Sequence, residues 1–193
     1  MSLINYHLYL IFILENNFFG INVQNLMQLY RFHGQSIPES YLIPGPEKDI
    51  TIPVINLKSM LIQSDYENAP STGFPWKIPT LIDVVSPVSG LKIDRIGIIA
   101  DYAIGIHQFA PDDINPVVHD AQDTKNEKSQ IKGRHSFIKG EAKNTYLTNQ
   151  WNEIIANTIH IIDIEALFFL SYSIQLIEFV MNLLFLLSNP VDR

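Results

Sequence analysis

The sequence predicts a mainly β fold built from two related lobes, because two short phrases each occur twice and in the same order. The first phrase begins at Gly20 and returns at Gly97, and the second begins at Thr51 and returns at Thr158. In each copy of the second phrase, β-branched residues that favour a strand are followed by Asn or Asp and then by residues that can begin a helix. Such self-similarity indicates an internal duplication. Chance similarity between short apolar stretches is the alternative.

Composition limits the possible functions. The 193 residues are 47% hydrophobic, enough to bury the core of one domain or of two small lobes. The net charge is −7 and no dense Lys/Arg run occurs, which argues against nucleic-acid binding. The absence of cysteine excludes disulfides, thiolate metal sites and a cysteine nucleophile. No cationic region precedes the first apolar run, so we expect no signal peptide.

The strands are expected where apolar runs are bounded by turn residues. Tyr6–Leu14 is apolar on both alternating faces, which predicts a strand that is covered on both sides. Gln24–Phe32 fits either a strand or a helical turn. The other expected strands are Phe18–Val23, Asp49–Ile55, Ile78–Val85, Arg95–Phe109 (one strand or two), Phe137–Ala142 and Ile154–Ile162.

Prolines and glycines predict where this regular pattern is interrupted. Pro53 implies that its strand lies at a sheet edge or carries a bulge, and Gly97 and Gly105 are expected to mark bulges or bends. A short helix is expected to follow Asn56, whose side chain would cap it. Loops are expected at Ser36–Lys48 (loop or edge strand), Pro111–Arg134 and Asn144–Asn152.

The C-terminal stretch Asp163–Leu187 predicts an apolar helix. Between Leu167 and Leu187 the only formal charge is Glu178, and the length would allow a membrane-spanning helix. Several Ser, Gln and Asn residues argue against a span, because polar groups in hydrocarbon are costly. We therefore favour a helix that is buried against the sheet or a partner chain, and a membrane anchor is the alternative.

No arrangement of residues predicts catalysis, a metal site or a cofactor. The six histidines form no tight ligand pair. His119 with Asp120 and Asp123 could hold a cation weakly, although a solvated acidic loop explains the same residues. Asp101 and Asp163 fit turn and cap roles rather than an acid/base pair. The chain is therefore expected not to be an enzyme.

Six pieces of the chain, taken in their order, resemble the CheW-like family, the adaptors of bacterial chemotaxis arrays. The pieces are Tyr9-Leu10-Ile11-Phe12, Phe19-Gly20-Ile21, Ile52-Pro53-Val54-Ile55-Asn56-Leu57, Ile96-Gly97-Ile98-Ile99-Ala100-Asp101, Phe137-Ile138-Lys139-Gly140 and Ile161-Ile162-Asp163-Ile164-Glu165-Ala166-Leu167. The resemblance implies two pseudo-symmetric, five-stranded SH3-like β-barrel subdomains with short helices. It places the CheW-like domain at 1–168. The two subdomains would be roughly 15–77 and 78–168, with the N-terminal strand packed between them. A C-terminal apolar helix and tail would occupy 169–193.

The resemblance also implies a non-catalytic adaptor that couples chemoreceptors to a CheA-type histidine kinase in the cytoplasm, peripheral to the inner membrane through receptor arrays. Matching positions to the family suggests eight partner-binding residues; for Leu26, Leu29 and Ile104 an ordinary core position is the alternative. The eight are Leu26, Gln28, Leu29, Lys48 and Asp49 in one lobe, and Ala100, Asp101 and Ile104 in the other.

Two places depart from the family pattern, and at one of them this chain lacks a Glu that the family commonly carries near Gln28. The family usually carries an Asn-Leu-Arg-Gly type segment before the Pro-Val-Ile-Asp-Leu strand, and this chain has Gly45-Pro46-Glu47-Lys48-Asp49 there. The alternative function is therefore a diverged protein without an array role, which would form a homodimer through Leu167–Leu187.

Overall fold

The computed structural model describes residues 7–15, 17–34, 36–61, 78–90, 93–117, 137–148 and 153–173. Within these residues eleven strands and two α-helices occur. The helices are α1 (Leu57–Leu61) and α2 (residues 164–173). The strands are β1 (His7–Leu14), β2 (Asn17–Asn22), β3 (Leu26–Arg31), β4 (Ser40–Ile43), β5 (Ile50–Ile55), β6 (Thr80–Val85), β7 (Arg95–Ala100), β8 (Tyr102–Phe109), β9 (Ile114–Pro116), β10 (Ile138–Thr148) and β11 (Glu153–Ile162).

The described strands form two sheets of similar topology. Sheet one has the order β8-β1-β2-β11-β10-β9, and sheet two has the order β3-β6-β7-β5-β4. Each sheet contains one parallel pair, β2 with β11 in sheet one and β7 with β5 in sheet two, and its other pairs are antiparallel. The mainly β, two-lobed fold that the sequence predicts is confirmed.

The sequence echoes mark equivalent positions in the two sheets. In the parallel pair of sheet two Val54 lies opposite Gly97, and in that of sheet one Ile161 lies opposite Gly20. A Cβ atom at Gly97 would lie 2.7 Å from Leu81 Cδ1, and one at Gly20 would lie 2.9 Å from Ile161 Cδ1. Glycine therefore allows close packing at the same point of both sheets.

A β-bulge also occurs at equivalent points of the two sheets. The pairing of β3 with β6 shifts between Leu26 and Gln28, which leaves Met27 as the extra residue. The pairing of β8 with β1 leaves Ile104 as the extra residue, beside Gly105 with φ of 153°. The bulge predicted near Gly105 is confirmed, whereas Gly97 lies in regular pairing and marks none.

Three apolar clusters form the core. One lies between the two sheets and is called here the shared core; each sheet also covers a cluster of its own. Strand β1 serves two of them, because Leu10 and Phe12 belong to the shared core while Tyr9 and Ile11 belong to the cluster of sheet one. The prediction that this first strand is covered on both faces is confirmed.

Both predicted helix caps are present. Asn56 Oδ1 accepts a hydrogen bond from the Ser59 N–H at 3.1 Å, and Asp163 Oδ1 accepts one from the Ala166 N–H at 3.2 Å. Each cap satisfies a main-chain donor that a helix start leaves free. Helix α2 buries Leu167 and its neighbours in the shared core, and the remainder of the predicted helix, up to Leu187, lies outside the described residues.

Several predictions about individual segments are wrong. Pro53 does not lie in an edge strand, since β5 pairs with β4 on one side and β7 on the other. The edge strand is β4, within the segment expected to be loop or edge. The first part of the loop predicted at Asn144–Asn152 is strand, because β10 continues to Thr148; residues 149–152 lie outside the described residues. The outer part of the β10–β11 hairpin pairs with neither β2 nor β9 in the described register.

The predicted division of the lobes also differs from the sheets. We expected a boundary near residue 77, but β6 and β7 belong to sheet two together with β3, β4 and β5. Sheet one takes the first two strands of the chain and then the strands from β8 onward. The division between the domain and its tail at residue 168 stays a prediction.

Candidate partner-binding surfaces

The outer edge of β3 is one open edge of sheet two. The Phe32 N–H donates to the Pro79 carbonyl at 2.8 Å, in register with the β3–β6 pairing. Because hydrogen-bonded positions alternate along an antiparallel strand, the main-chain groups of Leu29 and Arg31 point away from β6. Among the described strands none pairs with this side of β3. Unpaired main-chain groups of this kind can accept another strand.

Exposed apolar side chains lie on the edge strands β3 and β4 of sheet two and β8 of sheet one. On β3 Met27 is exposed and Leu29 is 39% exposed. Ile106 on β8 occupies the position in sheet one that Leu29 occupies in sheet two, and it is 59% exposed. Leu42 is exposed on β4, the opposite edge of sheet two. Isolated exposed apolar residues are common, but these lie on edge strands.

The five predicted residues of the first lobe are divided between two places. Leu26 is half-buried against the shared core, while Gln28 is exposed and accepts a hydrogen bond from the Tyr30 hydroxyl at 3.3 Å. Leu29 follows on the same edge strand. Lys48 and Asp49 are exposed in the connection between β4 and β5.

The three predicted residues of the second lobe serve the fold. Ala100 is fully buried in the shared core and offers no surface to a partner. Asp101 is half-buried; its N–H donates to the Ile13 carbonyl at 2.9 Å and its Oδ2 accepts from the Glu15 N–H at 2.9 Å. Ile104 packs half-buried against the cluster of sheet one.

A polar junction joins helix α1 to the turn between β1 and β2. The Lys58 ammonium forms an ion pair with the Glu15 carboxylate, and Asp101 anchors the Glu15 backbone, whose φ is 50°. The hydrogen bond that Lys58 donates to Glu15 raises the pKa of Lys58 above its usual value, and Asp101 adds a smaller electrostatic contribution. Sequence reasoning missed this junction because its members are far apart along the chain.

A buried ion pair lies inside sheet two. Asp83 is 0% exposed and accepts from Arg95 Nε at 3.2 Å; a second bond joins Arg95 Nη2 to the other carboxylate oxygen. The hydrogen bonds to Asp83 raise the pKa of Arg95 above its usual value. A signal was available in the sequence, because Asp83 interrupts the otherwise apolar run of β6.

The described residues include no candidate metal site and no candidate membrane-spanning helix. Among them no group of three or more His, Asp or Glu side chains could hold a metal ion. No described helix is long and apolar enough to cross a membrane. His119, Asp120 and Asp123 lie outside the described residues. His160 Nδ1 lies 3.4 Å from Glu141 Oε1, directly across the β10–β11 pair.

The chain is similar to the scaffolding protein TtCheW from Thermoanaerobacter tengcongensis. The match has a TM-score of 0.49 and 18% sequence identity, and it covers 81% of this chain and 83% of the other. No protein-family model matches the sequence, and no curated protein matches it.

Proposed function

We propose that this chain is a non-catalytic scaffold of the CheW-like type, which couples chemoreceptors to a CheA-type histidine kinase in bacterial chemotaxis. The observation that supports this proposal is the match between the sequence motifs and the fold. The resemblance to the family rests on the Gly-Ile phrases and on the strands that are followed by a capped helix. Both features occupy equivalent places in two sheets around a shared core.

The open sheet edges are the surfaces proposed to contact the partners. A scaffold needs an exposed surface rather than a reaction centre, and strand edges bind extended segments through main-chain hydrogen bonds. Of the eight predicted residues, Gln28 and Leu29 on β3 and Lys48 and Asp49 beside β4 are exposed. We therefore retain these four as candidate contacts. The proposal places the protein in the cytoplasm beside receptor arrays.

A binding measurement tests the proposed function. We expect the full chain to bind the regulatory domain of a CheA-type kinase from the same organism in isothermal titration calorimetry. Leu29→Asp should weaken this binding at least tenfold, because a charge would replace an apolar contact on the β3 edge. Leu8→Asp, at an exposed apolar position of β1, which lies between β8 and β2 and is not an edge strand, is the matched control. Absence of binding by the unaltered chain at high micromolar concentration would end the proposal.

A second candidate function is self-association through α2. Leu167, the first residue of the proposed dimer surface, is fully buried in the shared core, so it cannot be part of that surface. Phe169 and Tyr172 point outward instead, at 52% and 48% exposure. They are three positions apart and therefore share one face of the helix.

Sedimentation distinguishes this candidate from a monomeric scaffold. If α2 forms a homodimer, Phe169→Asp combined with Tyr172→Asp should convert it to monomers, because two charges would enter the interface. The matched control is Leu8→Asp combined with Leu42→Asp, which adds two charges at exposed apolar positions of β1 and β4 rather than on α2. Equal monomers for the unaltered chain and the double variant would rule out the dimer.

A further inference from the structure

Arg31, the cation on the outer edge of sheet two, has no carboxylate partner among the residues that the structure describes. The described ion pairs use Lys58, Arg95, Lys143 and His160, whereas Arg31 is exposed on β3 and forms none of them. The residue across from it on β6 is the neutral Thr80. In a chain of net charge −7 this guanidinium is therefore available to an external carboxylate.

The charge of Arg31 lies on the same strand as the main-chain groups of β3 that point away from β6. Leu29 and Arg31 are two residues apart on one strand, so their side chains share a face and their main-chain groups both point outward. An added antiparallel strand would place one residue opposite Leu29 and another opposite Arg31. Opposed residues contact each other directly, and opposite charges there are favourable.

Sheet one offers a comparison within the same molecule. The residues of β8 that are equivalent to Leu29 and Arg31 are Ile106 and Gln108. They hold the same places in the pairing of β8 with β1 as Leu29 and Arg31 hold in the pairing of β3 with β6. The apolar residue is therefore present on both edges, but the cation is present only on β3. An acidic partner would bind to sheet two and not to sheet one.

We propose that the β3 edge binds an extended segment of a partner protein, in which an apolar residue and a carboxylate stand two positions apart. The apolar residue lies against Leu29, the carboxylate pairs with Arg31, and the main chain adds to sheet two. This inference rests on the proposed role as a protein-binding scaffold and gives the chemistry of one partner. A cation on an edge strand can also serve only to prevent aggregation, and the experiment separates the two roles.

The test uses the full chain and two cyclised hairpin peptides, which are held in the extended form to reduce the entropic cost of binding. The outer strand of one reads Thr-Glu-Thr-Ile-Thr, so that in an antiparallel strand Glu lies opposite Arg31 and Ile opposite Leu29, and the other has Lys in place of Glu. We expect the Glu peptide to bind more tightly, with amide NMR shifts concentrated at Met27–Arg31. Arg31→Gln, which copies β8, should weaken the Glu peptide about three- to fivefold and leave the Lys peptide almost unchanged.

Two further variants complete the design. Arg31→Glu should reverse the preference so that the Lys peptide binds more tightly, and Lys139→Glu, with the same charge change at an exposed position of β10, should not. Leu29→Pro removes an outward N–H without removing a bond to β6, and should abolish binding of both peptides. Equal binding of the two peptides, or an Arg31→Gln variant that merely self-associates, would overturn the inference.

The outcome is separable from that of the proposed function. If the kinase regulatory domain binds the unaltered chain and neither peptide does, the inference fails while the scaffold role stands. If the Glu peptide binds at β3 and the kinase domain does not, the acidic-strand site stands and the proposed kinase partner fails.

Discussion

The same position in the two sheets is filled by opposite chemistry. In sheet two Asp83 on β6 and Arg95 on β7 form a buried ion pair. In sheet two Asp83 lies opposite Gly97, and in sheet one Ile11 lies opposite Gly20; Arg95 and Phe18 each lie two residues before these glycines. The equivalent residues in sheet one are therefore Ile11 and Phe18, which are both buried in the apolar cluster of that sheet. The same backbone arrangement therefore occurs with an apolar pair or with an ion pair, which predicts that the fold does not require the charges.

The largest expected effect comes from breaking this ion pair. Asp83→Ala should destabilise the protein by about 3 kcal/mol, because it leaves the Arg95 guanidinium without its partner in a site where only 19% of that side chain is exposed. The double variant Asp83→Ile, Arg95→Phe copies sheet one and should recover most of that loss or exceed it. Urea denaturation measures both. A double variant as unstable as the single one would show that sheet two needs the charges.

The helix caps should give a smaller and equal effect in the two sheets. Asn56→Ala and Asp163→Ala each remove a side-chain oxygen that accepts from a helix N–H, and each should cost about 1 kcal/mol of unfolding free energy. Asn56→Asp, which copies the cap of the other sheet, is the control and should cost much less. Clearly unequal losses for the two Ala variants would indicate that the two units contribute differently to global stability.

The smallest effect concerns pH. His107 on β8 and Tyr30 on β3 are equivalent, and burial lowers the pKa of His107 below its usual value. The unfolded chain therefore binds more protons at this residue as the pH falls through the ordinary histidine range near about 6.5. Stability should decrease from that range downward.

Thermal melts between pH 7 and pH 5 measure this dependence. His107→Tyr, which copies sheet two, should flatten the curve relative to the unaltered chain. Because the two proteins differ only at this residue, the difference between their curves reports His107 alone. His33→Tyr, at an exposed position, is the control. Identical slopes for the unaltered chain and His107→Tyr would refute the prediction.

Local signals predicted most of the strands and both caps. Alternating apolar residues located β1, β2, β6 and β11 to within about two residues, because each is bounded by turn residues. They failed for the β10–β11 hairpin, where Asn144 and Asn149 suggested a loop although cross-strand pairing extends both strands. The candidate site was predicted only in part: Gln28 and Leu29 lie on an open edge, whereas Ala100 is core.

The sequence by itself determined the duplication, the glycines at the two parallel pairs and the Asn56 and Asp163 caps, since these depend on neighbouring residues and on backbone conformation. The tertiary structure decided which strands join which sheet, since β6 and β7 pair across the chain with β3 and β5. It also decided that Arg95 pairs with Asp83, whereas Arg31 forms no ion pair within the described part of the chain. Such contacts join residues that are distant in sequence, so only the packing of the whole chain can set them.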